Sequence, residues 1–250
     1  MKQHTLSFGV TFIGFIAWEL IVRGFNVPEY LVPAPTVIAS RFVETFPTVM
    51  PHFLTTGLEA LIGFMAAAIF GFGFAVLFIT WTPLEHALYP YAIALKSVPI
   101  VAIAPLLIIW FGNGLSPKII VAALISFFPI LVNAVRGLTE IDREHLDIFD
   151  SLAATRYQVL RKLRIPSSLP YLFSGLRIAA TLAVIGAIVG EFAGADSGLG
   201  YFITISSHRL ETVDMFVGIF LSSLLGIGAF YGIVLVERLL IAWHRQCLTD

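Results

Sequence analysis

The sequence predicts an all-α integral membrane protein of about six transmembrane helices, and three observations carry that prediction. Of the 250 residues, 58% are hydrophobic and only 12% charged. A soluble domain of this size carries about 25% charged residues, so lipid is the main solvent. Apolar runs of roughly 20 residues, the length a helix needs to cross a bilayer, recur along the chain between short segments rich in proline and glycine. One long polar island, from Ile141 to Ile178, interrupts this pattern. With its flanks from Arg136 to Arg177 it holds seven of the 15 basic residues.

The first span runs from about Leu6 to Val22, interrupted only by Glu19. Lys2 and the apolar run after it lack a small-residue cleavage site, which predicts an uncleaved span. Pro28, Pro33 and Pro35 then forbid a continuous helix. Thr36 is expected to cap a short amphipathic surface helix carrying Val37, Ile38, Phe42 and Val43. The second span, from about Leu54 to Trp81, is rich in Gly, Ala and Phe, a composition that lets membrane helices approach closely. The third, from about His86 to Phe111, contains Lys96, Pro99 and Pro105, and its two prolines imply kinks or local unwinding.

Gly112-Asn113-Gly114 makes a turn into the fourth span, Pro117 to about Val135, which contains Pro129 and Asn133. After the island, the fifth span covers about Leu169 to Val189 and ends at Gly190-Glu191-Phe192. The glycine-rich loop AGADSGLGY follows, and the sixth span is about Met215 to Val236. Six spans place Lys2, the island and the tail with Arg238 and Arg245 on one side, which the excess of basic residues marks as cytoplasmic. The other side receives Arg23, Arg41, Lys118 and Arg209. There is no internal repeat and no separate soluble segment, so residues 1–250 form one domain with a core at about 50–245.

Within the island, acids (Asp142, Glu144, Asp147, Asp150) precede bases (Arg156, Arg161, Lys162, Arg164). Thr155 followed by Gln158 is a capping-box pattern, in which each side chain satisfies an amide at the helix start. The bases near the end of that helix complement its dipole, and Pro166 is expected to stop it. Leu146, Phe149 and Leu152 form an apolar edge upstream. The prediction is two short amphipathic helices meeting near Ala153-Ala154. On charge alone, an ordinary cytoplasmic loop explains the island equally well.

The pattern is more specific than charge. Ala154-Thr155-Arg156-Tyr157-Gln158, Lys162, Ile165-Pro166, Leu169-Pro170 and Gly175-Leu176-Arg177 match in order and spacing the EAA loop of ATP-binding-cassette importer permeases. The chain resembles the nitrate/sulfonate/taurine type through Leu31–Thr36, SVPIVAIAPLLIIWFGNG, FFPILVN and GEFAGADSGLGY. The last blocks are similar in form to permeases for thiamine-pyrimidine precursors or riboflavin. Two departures stand out: the acidic-Ala-Ala triplet is Asp147-Ile148-Phe149, and the usual glycine is Ala153. Alanine tolerates positive φ poorly, so a tighter or more regular turn is expected there.

The resemblance implies a type I importer permease fold with a cytoplasmic coupling loop at 142–168. It implies a second permease copy, two ATP-binding subunits, an extracytoplasmic solute-binding protein and residence in a bacterial inner membrane with both termini cytoplasmic. No phosphate-binding G-x-x-x-x-G-K-[ST] loop is present, so ATP and magnesium are assigned to the partner ATPase and no cofactor to this chain. The coupling residues expected are Asp147, Ala153, Ala154, Thr155, Arg156, Pro166 and Pro170. The implied substrate is either a sulfonate-, nitrate- or taurine-like anion or a pyrimidine- or riboflavin-like vitamin precursor.

Polar groups at membrane depth are costly, which makes Lys96, Pro99, Asn133 and Glu191 the candidates for the translocation pathway. Lys96 either snorkels or lines the path, and Asn133 is either interhelical glue or a substrate contact. Glu191 is either a gate residue or an interfacial carboxylate, and Pro99 is either a packing kink or the source of a free carbonyl in the path. No catalytic constellation or metal-ligand spacing appears, and with one cysteine, Cys247, neither a disulfide framework nor a cysteine cluster is possible. No basic stripe outside the island suits nucleic acid. A stand-alone secondary transporter or channel is the rival; it predicts inverted repeats and several buried ionisable groups, where the sequence offers only Lys96.

Overall fold

A computed structural model describes residues 2–81, 83, 87 and 98–241. Lys96 lies outside them. All regular structure among the described residues is helical. Helix α1 spans Lys2–Gly24, and the proline-rich segment after it is non-helical, as the spacing of Pro28 and Pro33 requires. Glu19 does not sit bare in lipid: it accepts from Arg23, from the Thr36 amide at 3.1 Å and from the Thr36 hydroxyl at 2.7 Å.

Helix α2 runs unbroken through Pro35–Thr80. This corrects the expected split into a surface helix capped by Thr36 and a separate span from Leu54. Ala34 is the N-cap and Pro35 opens the helix, where its missing N–H costs nothing. Pro47 and Pro51 lie inside it. Packing overrides their breaking tendency: Ile38 and Val49 are buried with Leu199, Val217 and Leu221 in one cluster. At 1.5 Å per residue, 46 residues reach about 69 Å, more than twice the roughly 30 Å hydrocarbon core. One end of α2 therefore projects from the membrane. That end carries Arg41, which grips Asp214 with two hydrogen bonds of 2.6 and 2.9 Å.

The third span is described only from Val98 onward. Val98 and Pro99 are non-helical, as the prolines imply, and Pro99 caps α3 (Ile100–Phe111), which holds Pro105. Helices α4 (Leu115–Thr139), α7 (Ile165–Phe192) and α2 pack most extensively, and α9 (Thr212–Leu240) lies along α7 and α2. Alanines dominate the core: Ala60, Ala67, Ala122, Ala179, Ala180, Ala183 and Ala187 share one buried cluster. A Cβ on Gly63 would sit 2.6 Å from that of Ala122, and one on Gly186 would sit 2.7 Å from the Ala122 Cα. Such backbone approach supplies van der Waals attraction in lipid, where no hydrophobic force drives helices together. Among the described residues four helical stretches are long and apolar enough to span: Pro35–Thr80, Leu115–Thr139, Arg156–Phe192 and Thr212–Leu240.

Candidate functional site

The island folds as two short helices at one end of the bundle. Helix α5 (Arg143–Ser151) buries none of its residues. It ends in a Schellman turn: Ala154 N–H donates to Phe149 O and Ala153 N–H to Asp150 O, both at 3.0 Å. Ala153 holds φ of 49°, the left-handed conformation usual for glycine. The more regular turn expected from alanine is thus not formed, because these two bonds satisfy otherwise orphaned carbonyls only with that residue left-handed. Left-handed alanine costs about 1–2 kcal/mol, and glycine's extra unfolded-state freedom offsets about 0.5–1 of it. Ala153→Gly is therefore expected to stabilise the turn by about 0.5–1 kcal/mol, slowing exchange of the Ala154 amide several-fold. Exchange that quickens would show the turn to be unstrained.

Helix α6 (Arg156–Val159) carries the predicted capping box: Thr155 N–H donates to Gln158 Oε1 at 2.8 Å, and Gln158 N–H to Thr155 Oγ1 at 3.3 Å. Pro166 does not stop the helix. Leu160–Arg164 forms a single π-turn and the chain continues into α7, with Pro166 in its first turn and Pro170 further along. In a regular helix the Pro166 ring would collide with the carbonyl four residues back. The wider turn relieves that collision. Arg164 Nη1 donates to Leu138 O at 2.7 Å, tying this turn to the end of α4. Asp147 and Arg156 are exposed, together with apolar Ile148 (56%), Leu152 (72%) and Tyr157 (66%).

At the opposite end three ionisable side chains are buried together: Glu59, Lys118 and Glu191, each no more than 2% exposed. Lys118 was expected among the charges outside the membrane. It is enclosed instead, with Nζ 3.9 Å from Glu59 Oε1 and 3.4 Å from Asn113 O. Neither Glu59 carboxylate oxygen has a hydrogen-bond partner among the described residues. Glu59 was not singled out by the sequence, and buried ionisable groups are more numerous than the single Lys96 anticipated. Buried ionisable groups therefore do not distinguish this chain from a secondary transporter.

Glu191 organises the glycine loop. Thr56 Oγ1 donates to Glu191 Oε1 at 2.6 Å and accepts from Leu199 N–H at 2.7 Å, while Gly200 N–H donates to Glu191 Oε2. Gly198 N–H donates to His52 Nδ1 at 3.1 Å. These amides begin α8 (Leu199–His208), whose unpaired N–H groups and positive dipole end suit a carboxylate. Gly198 has φ of 107°, and a Cβ there would fall 2.2 Å from the Glu191 carboxyl. Only glycine fits. Thr56 and Glu59 lie one turn apart on α2, and Gly190 packs its backbone against Lys118.

Of the pathway candidates, Glu191 is therefore buried, not a surface carboxylate. Pro99 caps α3. Asn133 bonds within its own helix, Nδ2 donating to Pro129 O at 2.8 Å. Asn133 also borders an open hollow of about 500 Å³ at the island end, lined by Arg136 of α4 and by Pro166, Ser167, Pro170, Tyr171 and Ser174 of α7. There Arg136 Nε donates to Glu140 at 2.9 Å, and its guanidinium lies 5.7 Å from the Tyr171 ring centre. The hydrogen bond from Arg136 holds the Glu140 carboxyl below the usual carboxylate range, so the pair is ionised at neutral pH.

A bundle of spanning helices with an exposed charged loop between two of them defines a multi-pass membrane protein. The chain belongs to the binding-protein-dependent transport system inner membrane component family, whose model matches residues 80–242. It is a multi-pass permease with the type I importer fold. It is 36% identical to the formylaminopyrimidine transport permease protein ThiX of Halalkalibacterium halodurans, over 92% of each chain. It is 38% identical to the riboflavin transport system permease protein RibX of Chloroflexus aurantiacus, over 92% of this chain and 87% of that one. A solved structure of the MetNI methionine ABC transporter in an inward-facing conformation superposes with a TM-score of 0.67. It covers 76% of this chain and 94% of that one at 18% identity, a likeness of fold.

Proposed function

We propose that the chain is the membrane half of an ATP-driven importer and that the α5–α6 loop is where a separate ATPase docks. One observation carries this: Ile148, Leu152 and Tyr157 are exposed on the one loop whose charge places it in water rather than lipid. Apolar groups there gain nothing from lipid and fit a protein groove. Asp147, Thr155 and Arg156 supply polar contacts around them, the turn at Ala153-Ala154 sets the angle between the helices, and Pro166 and Pro170 lie at the base of α7.

In this reading two permease copies sit on two ATPase subunits, which bind ATP and magnesium, in a bacterial inner membrane with both termini cytoplasmic. An extracytoplasmic binding protein delivers the solute to the Glu191 end. A charged hollow of about 640 Å³ beside Arg23, Glu29, Arg41 and Glu211 gives that protein a polar landing surface. Glu191, fastening the glycine loop to α2, acts as the outer gate. Lys96 belongs to the path, with Pro99 and Asn133. Similarity to the two relatives favours a small vitamin-precursor heterocycle as substrate over a sulfonate-like anion.

The test is purification of the tagged chain from its native host in mild detergent. Co-purification of an ATPase, with ATP-dependent solute uptake after reconstitution, is expected. Transport by the chain alone in ATP-free liposomes would overturn the reading in favour of a secondary transporter.

A further inference from the structure

The open hollow of mixed polar and apolar lining between the island ends of α4 and α7 has the size of a small-molecule site. Pro170 and Tyr171 each lie three or four residues from both Ser167 and Ser174, so the four share one face of α7. Asn133 and Arg136 face them from α4, one turn apart. The Ser167 and Ser174 hydroxyls make no hydrogen bond to any described residue, whereas neighbouring Ser168 is buried and donates to Ile165 O at 2.9 Å. Asn133 uses one amide hydrogen on Pro129 O, leaving its carbonyl oxygen as an acceptor. Two idle hydroxyls and an amide oxygen on facing helices form a set that matches the edge of a nitrogen heterocycle.

Charge separates the solute classes. Among the described residues Arg136 is the one cation lining the hollow, and Glu140 pairs with it at 2.9 Å. A sulfonate pairing with Arg136 would have to displace Glu140 from it. The Arg136 guanidinium lies 5.7 Å from the Tyr171 ring centre, so two planar groups on which a ring can stack border the hollow together.

Building on the permease reading, we propose that this hollow is a subsite for the solute on its way to the cytoplasm. It selects an uncharged, hydrogen-bonding heteroaromatic ring over a small anion.

The test uses the permease–ATPase complex in nanodiscs without binding protein, with radiolabelled cytosine, riboflavin and ethanesulfonate as probes in equilibrium dialysis. Retention of cytosine or riboflavin at least tenfold above ethanesulfonate is expected. Joint replacement S167A/S174A removes two hydrogen bonds of about 1 kcal/mol each and is expected to weaken ring binding about 30-fold. Glu140→Gln frees the Arg136 charge and is expected to raise ethanesulfonate retention about tenfold, leaving ring binding in place. Wild-type binding of ethanesulfonate equal to the rings, ring binding unchanged in the serine variant, or no probe retained by an intact complex would each overturn the subsite. Failure of the ATPase to co-purify would instead defeat the permease reading, and it is scored before any probe is added.

Discussion

Lys118→Met is expected to be the most damaging single substitution in the transmembrane region. It removes the cation 3.9 Å from Glu59, whose oxygens have no hydrogen-bond partner among the described residues, and strands Glu59 as a buried acid beside Glu191, which keeps its hydrogen bonds from Thr56 and Gly200. Removing one member of a buried ion pair costs about 3–5 kcal/mol, because the desolvated partner is stranded. That is a large share of the 5–15 kcal/mol that stabilises an ordinary domain. The thermal midpoint of the detergent-solubilised protein should drop by several degrees. Pairing it with Glu59→Gln removes the stranded charge and should recover most of the loss. A single variant as stable as the parent would show that the cluster is not held by this pair.

Ala154→Glu is expected to abolish uptake while leaving the protein folded in the membrane. Ala154 is half-buried, its amide closes the Schellman turn, and it immediately precedes the Thr155 cap. A long acidic side chain there would stand beside α5, which already carries Asp147 and Asp150, and would wedge between the two short helices. Helices α2, α4 and α9 do not depend on the loop, so membrane insertion should survive. Transport should fall at least tenfold, read as ATP-dependent solute accumulation in cells with the variant at normal level. Uptake at the parental rate would remove the coupling role from this loop.

Features set by local chemistry were legible in the sequence. The break at Pro28–Pro33, the Thr155–Gln158 capping box, the paired short helices and the unwinding before Ile100 follow from residues within a few positions of one another. The loop could be matched to a family because its prolines, bases and Gly175 recur at set intervals. The buried cluster was not legible, because Glu59, Lys118 and Glu191 are brought together only by the packing of α2, α4 and α7. The usable signal was that Glu59 and Lys118 each stand within an apolar span, where either alone would be expensive and the two together are not. Pro166 was misjudged because a π-turn absorbs a proline that a regular helix could not. The split of α2 was misjudged because burial of Ile38 and Val49 outweighs two internal prolines.

The π-turn has a geometric consequence. By letting the helix pass Pro166, it makes Arg156–Phe192 a single strut of 37 residues, about 55 Å long. Its foot carries the Thr155 cap and its tip the Glu191 carboxylate, so the two ends of the protein share one stiff body. The wide turn at Leu160–Arg164 is the natural fulcrum. A swing of about 5° there carries the tip, about 43 Å away, through an arc of roughly 4 Å at 1.5 Å of rise per residue. That displacement exceeds the length of every hydrogen bond that fastens Glu191 to Thr56 and Gly200.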